Sequence, residues 1–335
     1  KGVYTHTVPV DAYRGAGRPE AIYLMERLLE TAAIELGIDR VEMRRRNMIP
    51  AAAMPFRTAA NETYDTGDFV RVMDAAVQQS DWNGIDARRT EATTRGKRRG
   101  IGLAYYIEST MGGAEETCAI KFPADGAIEV LVGTQSTGQG HETAYAQMVA
   151  ERFHVPMEQI RVIQGDSDLI ASGGGTGGSR SLTAEAWAIR DATGEVINKG
   201  TDIAADILEA ASDDVQFGDD GQFRIAGTDR TVGLMDVVDK ARGLGRSLDA
   251  DVEISVENWT FPNGCHVAEV EVDEGTGHVQ LVSYSIVDDF GVILNPMLVQ
   301  GQVHGGVVQG AGQALMEDAV YDKDAQLISG SFMDY

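Results

Sequence analysis

The sequence has little cysteine, few basic residues and no long hydrophobic run, and each of these absences excludes a class of protein. The only cysteines among the 335 residues are Cys118 and Cys265, and two are too few for an iron–sulfur cluster or a disulfide framework. Asp and Glu outnumber Lys and Arg by 52 to 28, and the net charge of -24 disfavours nucleic acid and anionic membranes as partners. No apolar stretch approaches the ~20 residues of a membrane span, and no signal peptide opens the chain. We therefore expect a soluble, cytoplasmic protein with no nucleic-acid or membrane partner.

Metal-ligand and nucleotide-hydrolysis motifs are also absent. The six histidines are scattered without a ligand spacing such as HExxH, so the sequence predicts no metal held by protein side chains. No lysine follows the glycine run that ends at Gly178, which argues against an ordinary P-loop nucleoside triphosphatase. What the sequence does contain in quantity is glycine, at 39 residues.

The first glycine-rich segment, GDSDLIASGGGTGGSRSL at residues 165–182, is the one around which the chain is organised. Five of the six residues from 173 to 178 are glycine, and a helical stretch follows. Backbone N–H groups at such a helix start can converge on an anion, and an arginine can bind phosphate oxygens with two N–H groups. The candidate phosphate-binding residues are Gly177, Gly178, Ser179, Arg180 and Ser181. The alternative is a mobile surface loop, which glycine clusters commonly mark.

Two further segments combine glycine with glutamine. GTQSTGQGHET, at residues 133–143, opens a predicted helix, and a glutamine amide between two glycines can both donate and accept toward a flat polar ring. Its candidate binding residues are Gly138, Gln139, Gly140 and Thr143. QGQVHGGVVQGAGQ, at residues 300–313, is predicted to be helical although each glycine costs roughly 1 kcal/mol relative to alanine, and it places Gln302 on a polar face. Close helix–sheet packing is the alternative reason for these glycines.

A short loop near the start, AYRGAGRPE at residues 12–20, carries two arginines among small residues. It follows a predicted strand at residues 5–11 and leads into a helix with Pro19 in its first turn. Apolar residues at helical spacing predict the buried face of that helix, namely Ile22, Met25, Leu29, Ala32 and Leu36. Gly37 ends it, and Asp39 caps a second helix. The residues expected to face a ligand are Arg14, Gly15, Ala16, Gly17 and Arg18, with a merely solvated loop as the alternative.

The domain organisation is predicted from a loss of apolar periodicity at residues 81–100, a stretch rich in arginine. We expect a first domain over residues 1–85, a linker over residues 86–96 and a second domain over residues 97–335. The basic linker residues are expected to be solvated, although a phosphate or a partner subunit is the alternative. A hairpin over residues 267–287 is expected to present an acidic, wet face. A weak repeat, in which Cys118 and Cys265 each open a hairpin, suggests two related halves in the second domain.

Taken together, these segments resemble those of one family. AYRGAGRPE is similar to the active-site loop of form II carbon monoxide dehydrogenase-like proteins. The pterin-binding segments of the same family are similar to GTQSTGQGHET, to GTGGSRS and to DDFGVILNP with the following GQVHGG and QGAGQ. The chain thus resembles the molybdopterin-binding large subunit of the molybdenum hydroxylases, which include xanthine dehydrogenase, aldehyde oxidoreductase and aerobic carbon monoxide dehydrogenase. The resemblance covers essentially the whole chain and implies an α+β fold of mixed sheets packed with helices.

The resemblance also implies roles and partners. Gln139 and Gln302 would contact the pterin, residues 177–181 would hold the phosphate or nucleotide end, and the backbone of residues 14–18 would lie beside molybdenum. In bacteria the cofactor is usually molybdopterin cytosine dinucleotide. The implied reaction is hydroxylation of an aldehyde or N-heterocycle with oxygen from water. Electrons would pass to an iron–sulfur small subunit and an FAD-containing medium subunit, in a dimer of heterotrimers.

Two departures from the family pattern limit this expectation. The loop of residues 14–18 has no cysteine, whereas true carbon monoxide oxidisers use one there to hold copper, so carbon monoxide is not the expected substrate. The Gly-Val-Gly-Glu-like segment with the catalytic glutamate and an upstream Gly-Gly-Gly-Phe-Gly segment are both missing, and Glu317, expected on a helix, does not replace that base. We therefore expect an internal piece of a larger subunit, inactive alone. A non-catalytic anion-binding or cofactor-binding module, or a subunit-interface protein, is the alternative.

Overall fold

A computed structural model describes residues 3–7, 11–110, 114–256 and 259–335 of the chain. The first part of the chain forms helices and strands in the order α1 (Arg18–Leu36), α2 (Arg40–Asn47), β1 (Phe56–Arg57), β2 (Thr63–Tyr64), α3 (Phe69–Gln79), α4 (Ile85–Thr94) and β3 (Lys97–Ile107). The middle part forms β4 (Ala114–Lys121), β5 (Ile128–Val132), α5 (His141–Phe153), β6 (Ile160–Gln164), α6 (Ser181–Leu208), β7 (Val215–Phe217), β8 (Gln222–Ile225), β9 (Thr231–Gly233), α7 (Leu234–Gly243) and β10 (Ala250–Val256). The last part forms β11 (Asn263–Asp273), β12 (Val279–Asp289) and α8 (Pro296–Leu315).

Local sequence signals set the ends of the first two helices as expected. Gly37 closes α1 in a left-handed conformation with φ of 64°, and the side chain of Asp39 accepts hydrogen bonds from the N–H groups of Val41 and Glu42 at the start of α2. The strand expected at residues 5–11 depends on residues 8–10, which lie outside the described residues.

The buried face of α1 differs from the predicted one because charged residues occupy part of it. Met25 and Leu36 are 56% and 66% exposed, whereas Glu26 pairs with Arg44 at 2.6 Å and Glu30 with Arg40 at 2.6 Å. The expected face was built from apolar spacing alone, and it missed Glu26 and Glu30, which are half-buried by ion pairing.

The chain divides into two compact units, residues 1–109 with 260–335 and residues 110–259. The reason is sheet pairing: β11 lies in register beside β3, with Val267 opposite Leu103, so the first unit is built from both ends of the chain. These units therefore do not coincide with a division at residues 86–96. The assignment of residues 1–85 and 97–335 to two family domains stays a prediction.

The first unit is organised around a three-stranded antiparallel sheet of order β12-β11-β3. Its apolar core joins α2, α3, the Trp82 turn and α4 to that sheet. The buried members are Val41, Val72, Met73, Ala76, Trp82, Ile85, Ile101, Leu103, Cys265 and Val267. Burial of this kind of apolar surface contributes roughly 25 cal/mol per Å², which makes it the main stabilising term of the unit.

The predictions of a linker at residues 86–96 and of a wet acidic face on the hairpin were both wrong, and one cluster of paired charges explains why. Residues 85–94 form α4 rather than a linker, and Glu269 and Glu271 are only 5% and 3% exposed. Arg88 Nε lies 2.8 Å from Glu269, and Arg95 Nη2 lies 2.5 Å from Glu271. The carboxylates can be buried because the arginines of the basic stretch neutralise them.

The second unit contains a four-stranded sheet of order β10-β4-β5-β6 and a small three-stranded sheet of order β7-β8-β9. β5 and β6 are parallel, with Ile128 opposite Ile160 and Val132 opposite Gln164, so both strands end at the same edge. A parallel pair needs a crossover connection, which α5 supplies. The long helix α6 lies against β4 and β10.

Two helices of the first unit keep large apolar side chains exposed. No described residue of α8 is buried, and Val308 is 71% exposed. On α1, Leu24 and Leu28 are 68% and 61% exposed. None of the helices in the described part of the chain is both long and apolar enough to cross a membrane.

Candidate functional site

The loop of residues 14–18, in the first unit, has an unusual backbone. Gly15, Ala16 and Gly17 all have positive φ, at 89°, 50° and 96°. This conformation is open to glycine but costs of order 1 kcal/mol for an alanine. The loop is closed by two hydrogen bonds, from Ala16 N–H to Tyr13 O at 2.6 Å and from Arg18 N–H to Gly15 O at 2.9 Å. Backbone strain of this kind is often found at binding loops.

The two arginines of that loop have different partners. Arg18 forms an ion pair with Glu108 at 2.8 Å and donates to Ser109 Oγ, so its charge is compensated. Arg14 is exposed and donates to the carbonyl of Gly305 on α8 at 3.3 Å. The structure therefore connects the predicted loop to the glycine-rich helix through Arg14.

A cavity of about 1160 Å³ in the first unit adjoins this contact. It is lined by Arg14, by the β11–β12 turn at residues 277–279 and by the C-terminal half of α8 with Glu317. Gln309 lines it, whereas Gln302 does not. Glu317 lies after the end of α8, not on a helix as expected, and its N–H donates to Gly312 O at 3.0 Å.

Four of the five glycines of α8 have no packing reason within the described residues, whereas a Cβ built at Gly312 would lie 2.7 Å from Oε1 of Glu317. A Cβ built at Gly301, Gly305, Gly306 or Gly310 meets no described heavy atom within 4 Å outside the helix itself. Close helix–sheet packing, the alternative reason for these glycines, is therefore not found there. The side of α8 that the glycines leave open is free for a ligand or for further polypeptide.

In the second unit, the other two glycine-rich segments follow β5 and β6 at the shared end of these parallel strands. Residues 133–140 lead from β5 into α5, and residues 165–180 lead from β6 into α6. They touch where they cross, because a Cβ built at Gly133 would lie 2.6 Å from the Cα of Gly173. Ligands of α/β proteins commonly bind at the carboxyl ends of parallel strands.

Hydrogen bonds through Thr176 connect the two loops. Gln135 N–H donates to Thr176 Oγ1 at 3.1 Å, and Ser181 Oγ donates to the same oxygen at 3.3 Å. The carbonyl side of the Gln139 amide accepts from Thr137 N–H at 2.6 Å, whereas its NH₂ donates to none of the described residues. The carbonyl side of the Gln139 amide, a predicted pterin contact, is thereby fixed, and the NH₂ side is left for a ligand.

The helices that open from these loops begin without side-chain caps. α5 starts after Gly140, which has φ of 84°, and α6 starts after Arg180. Neither helix start has a capping side chain. Ser179 has φ of 57°, which turns the chain immediately before α6. The first N–H groups of both helices lack intrahelical partners and favour an anion.

Several buried polar atoms in this region lack a hydrogen-bond partner in the described part of the chain, a rare condition in folded proteins. They are Nδ1 of His141, Nε of Arg180, Oε2 of Glu116 and Oε1 of Glu185. Burial lowers the pKa of His141, so its imidazole is neutral. A phosphate-bearing ligand with a polar ring fits this region for three reasons. The space beside Gly138 and Gly177 is open, two helix starts are uncapped, and an arginine nitrogen has no partner among the described residues.

The structure brings together one part of the predicted site and leaves the rest in the first unit. Gly138, Gln139, Gly140 and Thr143 share the second unit with residues 177–181, and their segments are in contact. Gln302 and residues 14–18 belong to the first unit. The described residues contain no cluster of three or more His, Cys, Asp or Glu that could hold a metal ion. Sequence reasoning missed Glu116 and Glu185, because a single acidic residue in a strand or helix gives no signal of burial.

Comparison with known proteins identifies the segments. Residues 75–335 match the model of a molybdopterin cofactor-binding domain, and residues 1–48 match a second model of the same description. The gamma subunit of the 6-hydroxypseudooxynicotine dehydrogenase complex of Paenarthrobacter nicotinovorans is 32% identical, over 99% of this chain and 43% of its own length. The carbon monoxide dehydrogenase large chain of Hydrogenophaga pseudoflava is also 32% identical, over 100% of this chain and 44% of its own length.

Comparison with solved structures points to the same family. Quinoline 2-oxidoreductase from Pseudomonas putida 86 matches with a TM-score of 0.86 and 28% identity, over 96% of this chain and 44% of that one. The chain thus spans less than half the length of the relatives it matches. Its mixed sheets, glycine loops and helices are those of this fold, and the chain belongs to the molybdopterin cofactor-binding family of the molybdenum hydroxylases.

Proposed function

We propose that the chain is the cofactor-binding part of the catalytic subunit of a molybdenum hydroxylase, with molybdopterin cytosine dinucleotide as its cofactor. The observation that carries the proposal is the pair of joined glycine loops at the ends of β5 and β6, from which two uncapped helices begin. When bound, the cofactor supplies the redox chemistry for oxidising a C–H bond with oxygen from water.

The residues of the second unit bind and orient that cofactor. The N–H groups of residues 177–181 and the guanidinium of Arg180 bind its pyrophosphate oxygens. Gln139 presents its free NH₂ to the pterin, while its carbonyl is held by Thr137. Gly138 and Gly140 would let the backbone approach the ring, and Thr143, exposed on the first turn of α5, would contact the same ligand. For Gln302, which belongs to the first unit, the family resemblance predicts a pterin contact.

The loop of residues 14–18 is the proposed substrate-side loop. Its strained backbone presents N–H groups, and Arg14 adds an exposed positive charge beside the cavity along α8. Both cysteines are fully buried, Cys118 in β4 and Cys265 in β11. A fully buried thiol is not available to hold copper at an exposed loop, which favours a substrate other than carbon monoxide.

An aldehyde or an N-heterocycle is the proposed substrate class. Relatives named for quinoline and for 6-hydroxypseudooxynicotine support the N-heterocycle. The gamma subunit among them belongs to a named complex, which supports partner subunits. An iron–sulfur subunit and an FAD subunit, in a dimer of heterotrimers, are the proposed partners. A cytoplasmic location completes the proposal.

The test is to co-express the complete subunit with its neighbouring subunits, measure molybdenum by mass spectrometry and identify the nucleotide that acid releases. We expect stoichiometric molybdenum and CMP, and Arg180→Gln to lower both. Arg190→Gln is the matched control, because it removes the same charge from an exposed position of α6. Stoichiometric AMP or GMP would contradict the cytosine form. Bound cofactor without turnover of aldehydes or N-heterocycles would favour a non-catalytic binding module.

A further inference from the structure

Two carboxyl groups with no assigned role lie directly beneath the glycine loops of the second unit. Glu116 is on β4 and Glu185 is on the second turn of α6, and both are completely buried. Each has one oxygen without a hydrogen-bond partner in the described part of the chain. An uncompensated buried carboxylate is strongly unfavourable, so the protonation state of these two carboxyl groups needs an explanation.

Glu116 holds the second loop at a single residue, Gly174. Its Oε1 accepts from Gly174 N–H at 2.7 Å, while Arg180 Nη2 donates to the carbonyl of the same glycine. Its other oxygen lies against the first loop, since a Cβ built at Gly133 would be 2.6 Å from Glu116 Oε2. One side chain thus contacts both loops where they cross.

Glu185 holds the first loop from below. Its Oε2 accepts from Thr134 Oγ1 at 3.4 Å, and that hydroxyl is 2.9 Å from the hydroxyl of Tyr145 on α5. The titratable, charged and polar groups around the pair are Cys118 on β4, Thr134, Tyr145 and Arg180. Asp251 on β10 acts on Cys118 and not on the pair itself. Arg180 is the single cation among them.

One arginine cannot compensate two buried carboxylates, so they must differ in protonation. Burial raises the pKa of Glu116, but the Gly174 N–H and Arg180 oppose that rise. Burial and the neighbouring Glu116 charge raise the pKa of Glu185 to about 9. Two carboxyl groups in one site commonly divide in this way, with one ionised and one neutral.

We propose that Glu185 stays a neutral acid in the folded chain and that its proton, together with the Glu116–Arg180 clamp on Gly174, positions residues 133–140 and 173–178 for an anionic ligand. The inference rests on the proposed function, because the ligand is the phosphate end of the cofactor. Ionising Glu185 places a second negative charge beneath the loops. That charge repels the anion and loosens the contact between Gly133 and Gly173.

The cofactor-free chain tests the proton directly. Infrared difference spectra on Glu185→Gln identify the carboxyl band of a protonated glutamic acid. We expect this band in the wild-type chain at pH 7 and in the control Glu195→Gln, which changes a solvent-accessible residue of the same helix, and not in Glu185→Gln. Glu116→Gln removes the neighbouring charge, so the band should disappear at lower pH than in the wild type. Absence of the band from the wild-type chain at pH 7 would overturn the proposal.

Binding of inorganic pyrophosphate, followed by calorimetry, tests the positioning. The wild-type chain is expected to bind pyrophosphate about tenfold more weakly at pH 9.5 than at pH 7, whereas the affinity of Glu185→Gln should change much less. Amide exchange is base-catalysed and accelerates with pH in both proteins, so it is compared with the intrinsic rate at each pH. Protection of the Gly174 N–H should then fall over the same pH range in the wild type alone. Equal pH dependence in both proteins would refute the positioning role. If neither protein binds pyrophosphate but the band and the exchange behave as expected, the anion site of the proposed function fails and the role of the proton in joining the loops stands.

Discussion

The open glycines of α8 lead to a prediction in which stability and function oppose each other. Gly305 and Gly310 lie inside a helix, and alanine there meets no described neighbour within 4 Å. Alanine is favoured over glycine in a helix by about 0.8–1.0 kcal/mol per residue. We therefore expect Gly305→Ala with Gly310→Ala to stabilise α8 in this chain by about 1.5–2 kcal/mol, provided that the two effects add.

The appropriate assay is amide exchange within α8. No described residue of this helix is buried, so it can open locally without global unfolding, and a melting temperature would miss most of the gain. A gain of about 1.5–2 kcal/mol corresponds to exchange roughly 10- to 30-fold slower, since each 1.4 kcal/mol is a factor of ten. In the complete subunit with its partners, the same double variant should lower the molybdenum content, because the methyl groups fill space that the cofactor or further polypeptide needs.

Gly194→Ala is the matched control for this experiment. Gly194 is helical and equally open, but it lies in the interior of α6, more than ten residues beyond the site loops. Its substitution should slow exchange in α6 and leave the molybdenum content unchanged. The reasoning is refuted if the α8 double variant exchanges faster than the wild type, or if it keeps full molybdenum content in the complete subunit.

Three further predictions concern the rest of the chain. Arg44→Met should lower the free energy of unfolding by about 1–3 kcal/mol in chemical denaturation, because it leaves the half-buried carboxylate of Glu26 without its donor; an unchanged free energy of unfolding would show that the pair is not structurally important. Arg95 lowers the pKa of Glu271, so its contribution is present above the unfolded pKa and is lost as pH falls through the folded one; the wild type should therefore lose more stability than Glu271→Gln in acid melting series, and parallel series would contradict this. Burial raises the pKa of Cys118, and that of Cys265 to about 12, so neither thiol should react with an alkylating reagent before unfolding; fast labelling of the native chain would disprove their burial.

The proposed site was predictable where its signal is contiguous in the sequence. The glycine run at residues 173–178 needs left-handed backbone and close approach, and the structure shows positive φ at Gly175, Gly178 and Ser179 before α6. That this run meets residues 133–140 was expected only from the family resemblance. The meeting depends on the parallel pairing of β5 with β6, which no local pattern specifies.

The charged residues show most clearly what could not be read from the sequence. The arginines of residues 88–99 indicated a solvated linker, and the acidic residues of β11 indicated a wet face. Each interpretation failed because the two sets pair with each other, Arg95 with Glu271 across 176 residues. The same reason hid Glu116 and Glu185, whose burial depends on strands and helices that come together only in the fold.

By itself, the sequence determined the features whose causes are local: the glycine that ends α1, the aspartate that caps the start of α2, the glycine loops that open α5 and α6, and the family to which these segments belong. Tertiary structure alone decided which end of the chain completes the first sheet, which charges are neutralised and which carboxyl beneath the loops keeps its proton. The physical reason is range. Caps and turns are set by neighbours a few residues apart, whereas strand pairing and burial depend on contacts across the chain, and these set the electrostatics of the site.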